Sequence, residues 1–250
     1  MKARLFSISM YNKWFINTNK VEKIRLETYK EEIKRSKLPL TEDILTLILL
    51  DYLRQQESRV FARVSHNAGS KNSKIKGWGF WFAPDIDLLE VREDNTVVGY
   101  ELKGVVKRKS KRKGKESETK KDYYYLPPAP YEGIGQAIAY LDNPTIFSPY
   151  ENNVEVLTEE KFGKQTFSGG IFDYVYLVHP YLPEIDYSKT IRYVEYTPLG
   201  LILIDYEGVR EKVSPKQNPY LNNKIKKLFL DDLSILSKFT FVKLKKPSFY

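Results

Sequence analysis

The sequence predicts an α/β domain in which a central mixed β-sheet is flanked by helices. From residue 41 the hydrophobic patterns follow the order helix, strand, strand, strand, helix, strand. Hydrophobic residues make up 42% of the 250 residues and charged residues 29%, the balance of an ordinary globular protein. No apolar run approaches the roughly 18 residues of a membrane-spanning helix, and we recognise no signal peptide. We therefore expect an intracellular, cytoplasmic protein without a membrane partner.

The first element is a helix that begins after Thr41, a favourable N-cap residue, and ends near Gln56. Its first turn carries Glu42 and Asp43, where the helix dipole favours acidic side chains. The other predicted elements are strands over 59–65, 86–92 and 96–106, a helix over 132–141, strands over 171–178 and 199–206, and a helix over 223–238. We expect residues 1–40 to be an N-terminal extension, 41–210 to form the core, and 211–250 to add a C-terminal helix packed on the same domain.

The residue composition restricts the kind of metal the protein can hold. The chain has no cysteine and two histidines, which excludes cysteine-ligated zinc and iron–sulfur clusters and disfavours a histidine-rich site. Any metal must therefore be held mostly by oxygen, which favours Mg²⁺ or Mn²⁺.

The clearest chemical pattern lies in the strand pair 86–92 and 96–106. A three-residue turn over 93–95, with Asn95 in the left-handed conformation, pairs residues whose numbers sum to 188. Asp87 then faces Glu101 and Asp85 faces Lys103, with all four side chains on one face. A register shifted by one residue would separate Asp87 from Glu101.

Two carboxylates at that spacing, about 5 Å apart, repel by roughly 3 kcal/mol at an effective dielectric constant near 20. A divalent cation between them removes this repulsion. Lys103 projects to the same side and can hold or polarise a water molecule beside a phosphate. A metal with a lysine is the combination that phosphodiester hydrolysis needs.

The chain here resembles the PD-(D/E)XK nuclease superfamily, the restriction-endonuclease-like fold. The proline–aspartate element is Pro84-Asp85 or the shifted Asp87, and the E-x-K element is Glu101-Leu102-Lys103. In the following helix, Gln136 and Tyr140 match the Q-x-x-x-Y element of the RecB-type branch, and their i, i+4 spacing places them on one helix face. The cysteines of the iron–sulfur members of that branch are missing.

The resemblance implies a restriction-endonuclease-like core and a Mg²⁺-dependent deoxyribonuclease. It implies that Asp87, or Asp85, and Glu101 bind Mg²⁺ (or Mn²⁺) together with the backbone carbonyl of Leu102. Some members add a glutamate from the first helix, for which Glu42 is the candidate. Helix-dipole complementation is the alternative role of Glu42. The implied catalytic set is Asp87, Glu101, Lys103, Gln136 and Tyr140.

Three alternatives to a deoxyribonuclease stay open: a non-catalytic nucleic-acid-binding protein, a branched-structure-specific protein, and an RNA-processing nuclease of the same fold. Because branched-DNA resolvases share the fold and act as dimers, a homodimer is also possible.

The positive charge is concentrated in one segment. Residues 107–121 hold nine basic and two acidic side chains, or +7 of the total of +9. We expect this segment to be a loop that contacts DNA phosphates, and the alternative is a solubilising loop. The predicted phosphate contacts are Lys107, Arg108, Lys109, Lys111, Arg112 and Lys113.

Overall fold

The computed structural model describes residues 14–15, 34–35, 37–56, 58–64, 86–109, 123–142, 170–231 and 241–242. The helices in these ranges are α1 (Glu42–Arg54), α2 (Ile134–Leu141), α3 (Ser188–Glu195) and α4 (Asn223–Asp231). The strands are β1 (Trp14–Phe15), β2 (Arg59–Val64), β3 (Ile86–Val91), β4 (Val97–Leu102), β5 (Val106–Lys109), β6 (Tyr123–Leu126), β7 (Tyr174–Pro180), β8 (Gly200–Asp205), β9 (Gly208–Val213) and β10 (Phe241–Val242).

Six of these strands form one mixed sheet in the order β2-β3-β4-β7-β8-β9. The pairs β2/β3, β3/β4 and β8/β9 are antiparallel, whereas β4/β7 and β7/β8 are parallel. The central strands β4 and β7 are buried along nearly their whole length, as expected where helices cover both faces of a sheet. The prediction of an α/β domain with a mixed, helix-flanked sheet is confirmed.

Two hydrophobic layers hold the sheet between its helices. Helix α1 buries most of its length on one face, against residues such as Leu88 and Tyr100. On the other face Ala137, Tyr140 and Leu141 of α2 pack together with Val194 of α3, and Phe229 and Leu230 of α4 lie at the edge of this layer. Each sheet face is therefore closed by a different segment of the chain, and α2 brings Tyr140 onto the face opposite α1.

The β3–β4 turn has the predicted geometry. Asn95 adopts a left-handed conformation with φ of 64°, and Arg92 N–H donates to the Thr96 carbonyl at 2.9 Å. The paired residues run from Val91–Val97 to Leu88–Tyr100, and each pair of numbers sums to 188. The register predicted from the length of the turn is confirmed.

Strand β4 ends earlier than predicted. The strand predicted over 96–106 is interrupted at 103–105, where the N-terminus of α1 packs onto the backbone. Val105 N–H donates to the Leu40 carbonyl at 3.0 Å, and a Cβ on Gly104 would lie 2.0 Å from the Glu42 nitrogen. The absence of a side chain at Gly104 therefore lets the first turn of α1 approach the end of β4.

We expect Gly104→Ala to destabilise the fold by about 3 kcal/mol or more, because the new methyl group meets backbone atoms of Thr41 and Glu42 that cannot move aside cheaply. Urea unfolding measures the loss. Gly135→Ala is the matched control, since a Cβ there meets no atom within 4 Å and alanine favours a helix by up to about 1 kcal/mol. Equal stability of the two variants would contradict the close approach.

The start of the basic segment is a strand, not the loop that we expected. β5 pairs antiparallel with β6, with Lys107 opposite Tyr125 and Arg108 opposite Tyr124. Residues 110–122, which contain Lys111, Arg112 and Lys113, lie outside the described residues. We call the β5–β6 pair the ribbon, because it forms its own two-stranded sheet apart from the central one.

Other boundaries differ from the predictions for local reasons. Thr41 occupies the N-cap position of α1, but within the described chain its side chain makes no capping hydrogen bond. β7 begins at Tyr174 and not at 171. Just before it, the Asp173 carboxylate accepts a hydrogen bond from the Val97 backbone N–H at 2.7 Å, and the Asp173 backbone N–H donates to the Val97 carbonyl at 2.8 Å. Helix α3 and the edge strand β9 were not predicted, and the expected core boundary at 210 falls inside β9. At the ends of the chain, β1 pairs with β10.

Candidate active site

Two carboxylates meet on the sheet face that α2 covers. Continuing the β3–β4 register by one residue sets Asp87 against Glu101, and Glu101 is only 1% exposed. The Leu102 backbone N–H donates to Asp87 Oδ2 at 2.8 Å, which fixes that carboxylate. Burial, followed by the negative charges of Glu101 and Glu42, raises the pKa of Asp87 from its ordinary 3.8 to about 8. The positive charge of Lys103 offsets these effects on the pKa of Asp87 only in part.

Tyr140, on the helix α2 that covers this face of the sheet, contacts both acidic residues. Its hydroxyl donates a short hydrogen bond to Glu101 Oε2 and accepts one from the Asp87 backbone N–H at 3.2 Å. Burial and the two nearby carboxylates raise the pKa of Tyr140 well above its ordinary value, so its hydroxyl keeps the proton that it donates. The tyrosine of the predicted Q-x-x-x-Y element thus lies in the site and orients Glu101.

Lys103 supplies a positive charge beside the acids. Its Nζ lies 2.5 Å from Glu101 Oε1 in an ion pair, and its side chain is 17% exposed. Burial alone would lower the pKa of Lys103, but Glu101, Asp87 and Glu42 together raise it above its ordinary value. Gly133, with a left-handed φ of 87°, packs against the Lys103 side chain. The lysine is therefore a confined cation that stays charged at neutral pH.

Glu42 lies close enough to influence this cluster electrostatically. Its charge raises the pKa values of both Asp87 and Lys103. The contact between the α1 N-terminus and Gly104, one residue after Lys103, explains the proximity. The structure thus brings the first-helix glutamate of the predicted metal set towards the two strand acids.

The remaining predicted residues are distributed differently. Gln136 is exposed on α2, and the described residues include no hydrogen bond from it to Asp87, Glu101 or Lys103. Asp85 lies outside the described residues. Lys107 and Arg108 belong to the ribbon, as does the backbone of Lys109. The site that the structure assembles is therefore Asp87, Glu101, Lys103 and Tyr140, with Glu42 nearby.

Sequence reasoning missed His179. The parallel β4–β7 register pairs Leu102 with Val178, so His179 follows alongside Lys103. His179 is 1% exposed, and its Nε2 donates to the Glu132 carbonyl at 2.9 Å, since a carbonyl can only accept. Its Nδ1 is buried without a hydrogen-bond partner among the described residues. His179 therefore anchors the turn that precedes α2. Gly133 of this turn packs against Lys103.

We expect His179 to make the fold sensitive to acid. Burial lowers the pKa of His179 from 6.5 to about 4, so between these pH values the unfolded chain binds a proton that the folded chain does not. The free energy of unfolding of the wild type should therefore fall as the pH drops through this window. The fall should be smaller by up to about 3 kcal/mol in His179→Gln, which has no imidazole to protonate. Urea unfolding at pH 7.5 and 4.5 compares the two proteins. If the difference in free energy of unfolding between the two proteins were the same at both pH values, His179 would not be the source of the acid sensitivity.

The chemistry of the two carboxylates fits a divalent cation. Burial and then the repulsion by Glu101 and Glu42 raise the pKa of Asp87, and a bound cation would lower it. Glu101 Oε1 is buried and faces the Lys103 ammonium, the position of a positive charge in this site. Mg²⁺ commonly takes one or two protein carboxylates and keeps several water molecules. Within the described ranges no group of three His, Asp or Glu side chains is arranged as a metal centre. Further ligands would be backbone oxygen, such as the Leu102 carbonyl, and water.

Comparisons with protein-family models, with curated proteins and with solved structures found no match to this chain. Among the described residues, none of the helices has both the length and the apolar character needed to cross a membrane.

Proposed function

We propose that the protein is a metal-dependent nuclease of the PD-(D/E)XK type that hydrolyses phosphodiester bonds in DNA. The observation that carries this proposal is the joint placement of Asp87, Glu101 and Lys103 on one face of β3 and β4, in the register that the motif requires. The element order α1, β2, β3, β4, α2, β7 also agrees with the core order of that superfamily, apart from the inserted ribbon.

In this proposal Asp87 and Glu101 would hold Mg²⁺ or Mn²⁺, with the Leu102 carbonyl and water as further oxygen ligands, and Glu42 adds negative charge nearby. The bound cation supplies Lewis-acid activation and neutralises negative charge that develops on the phosphate. Tyr140 fixes Glu101 through Oε2 and leaves Oε1 facing Lys103. The two acids are thereby oriented before substrate arrives.

Lys103 acts as a cation and not as a base. Its raised pKa keeps the ammonium protonated at neutral pH, so it donates hydrogen bonds to a phosphate oxygen or to the attacking water. Confinement by Gly133 and by the ion pair with Glu101 limits where the ammonium can lie. A positioned cation of this kind stabilises charge in the transition state at little reorganisation cost.

A cleavage panel tests the proposal. Single-stranded, duplex and branched DNA, and RNA, are each incubated with the protein in Mg²⁺, Mn²⁺ or EDTA. We expect cleavage of at least one DNA substrate with metal and none with EDTA, and none by Asp87→Asn prepared in parallel, which excludes a contaminating nuclease. Intact DNA under every metal condition would refute the proposal, and cleavage of RNA alone would favour the RNA-processing alternative.

A further inference from the structure

The ribbon presents large apolar side chains to solvent. Val106 is 43% exposed, Tyr124 47%, Tyr125 42% and Leu126 42%. By the strand register, Val106, Tyr124 and Leu126 share one face of the ribbon, and Tyr125 lies on the other face. Contiguous exposed apolar surface of this kind marks binding surfaces more often than isolated exposed residues do.

Each face of the ribbon combines an aromatic ring with a cation. Lys107 lies opposite Tyr125 and Arg108 opposite Tyr124, so in each cross-strand pair the Cβ atoms of a basic residue and a tyrosine lie about 5 Å apart. Among the described residues of β5 and β6 there is no acidic side chain. Rings that stack on bases beside cations that meet phosphates are the means by which proteins hold single-stranded nucleic acid.

Both chain connections at one end of the ribbon, where Val106 pairs with Leu126, lead to the candidate active site. β5 begins three residues after Lys103, and Val105 between them is tied to Leu40. After β6 the chain returns through a turn to Gly133, which packs against Lys103. A strand of nucleic acid lying along the ribbon would therefore lead towards the catalytic residues.

A third tyrosine lies on this return path. Tyr131, two residues before Gly133, is 69% exposed. The Glu132 and Ile134 N–H groups donate to carbonyls of the same turn, and His179 Nε2 donates a hydrogen bond to the Glu132 carbonyl. Tyr131 is thus carried on an anchored turn between the ribbon and Lys103.

We propose that the ribbon binds an unpaired polynucleotide strand that crosses the edge of β6, with bases stacked on Tyr124 on one face and on Tyr125 on the other, and that it thereby selects single-stranded DNA for the candidate active site. The bases of a duplex are already stacked on one another, so they offer no face to these rings, whereas phosphates are present in both forms. Electrostatic complementarity agrees with this occupant, since the sequence of residues 110–122 adds six basic and three acidic residues between the two strands. Binding of the polynucleotide by the ribbon does not depend on the proposed nuclease function; only the delivery of the bound polynucleotide to the candidate active site rests on that function.

Binding is measured apart from cleavage. Full-length Asp87→Asn protein in EDTA is titrated into a short fluorescent oligothymidylate, and separately into a hairpin duplex of equal length, with fluorescence anisotropy as the readout. On this background, Tyr124→Ser/Tyr125→Ser should weaken oligothymidylate binding by at least roughly tenfold, because each stacked base contributes appreciably to affinity. Duplex affinity should change by less than about threefold, since phosphate contacts dominate it.

Two matched variants separate stacking from charge and from misfolding. Tyr124→Phe/Tyr125→Phe keeps both rings and should bind the oligothymidylate as well as the parent protein. Lys107→Gln/Arg108→Gln should weaken both probes and flatten the dependence of log affinity on log salt by up to about two units. Thermal melting checks that every variant folds. An oligouridylate of the same length shows whether the bound strand must be DNA.

Three results would overturn the proposal: unchanged oligothymidylate binding by the double serine variant, an equal loss on both probes, or loss of binding by the phenylalanine variant. These outcomes are independent of the cleavage panel. Tyrosine-dependent binding without cleavage by the wild-type protein would refute the nuclease function alone. Cleavage with tyrosine-independent binding would refute the ribbon's role alone.

Discussion

Asp87→Asn is expected to abolish cleavage and at the same time to stabilise the metal-free fold. A metal ligand contributes several kcal/mol of transition-state stabilisation, so its loss should lower turnover by roughly three orders of magnitude or more. The asparagine oxygen can still accept the hydrogen bond from Leu102 N–H, so the local backbone should be kept. Single-turnover cleavage with Mg²⁺ measures the first effect.

The stabilisation follows from the sign of the pKa shift. The folded chain holds the Asp87 proton up to about pH 8, whereas the unfolded chain releases it near pH 4. The destabilisation by Asp87 therefore grows as the pH rises through this window. At pH 7 it reaches up to about 4 kcal/mol, which Asp87→Asn should recover as a rise of roughly 10 °C in Tm. Below pH 4 the two proteins should be equally stable.

Magnesium should reverse the order of stability. A ligand that binds the folded state alone raises Tm by mass action, so Mg²⁺ should raise the Tm of the wild type and leave Asp87→Asn unchanged. Glu93→Gln is the matched control, because Glu93 is an exposed acid in the turn that joins the same two strands. Normal cleavage by Asp87→Asn would place the ligand elsewhere, with Asp85 as the next candidate.

The carboxylate pair could be predicted because its geometry depends on local chemistry. A three-residue turn with a left-handed Asn95 fixes the register of β3 and β4, and the register fixes which side chains share a face. Tyr140 was predicted from the resemblance to the Q-x-x-x-Y element, and the same resemblance placed Gln136 beside it, where the structure instead leaves Gln136 exposed. Turn length is a property of neighbouring residues, and the sequence shows it directly.

His179 and the ribbon could not be predicted, because they depend on contacts distant in sequence. His179 meets Lys103 through the parallel β4–β7 pairing, which follows a connection of more than seventy residues. The ribbon was not recognised because the charge of residues 107–121 obscures the strand pattern of β5, and thirteen residues separate β5 from its partner strand β6. The break at Gly104 also depends on α1 packing against it, which no local pattern signals.

Lys103→Met should lower turnover by roughly two to three orders of magnitude, the effect expected on removing a positioned donor from the transition state. Metal affinity should be kept or should increase, because the ammonium that lies 2.5 Å from Glu101 Oε1 competes with a cation for the same oxygen. Isothermal titration with Mn²⁺ measures the affinity, and single-turnover cleavage at saturating metal measures the chemical step.

The metal-free stability of this variant provides a second readout. Removing Lys103 leaves Glu101 and Asp87 without their nearest positive charge, so Lys103→Met should melt below the wild type in EDTA, and Mn²⁺ should restore its Tm. Lys212→Met, at an exposed lysine on the edge strand β9, is the control for general loss of a charge and should change none of these quantities. If Lys103→Met instead loses Mn²⁺ binding, the lysine organises the carboxylates and does not act on the phosphate or the water, because a group that only stabilises the transition state leaves the metal affinity intact.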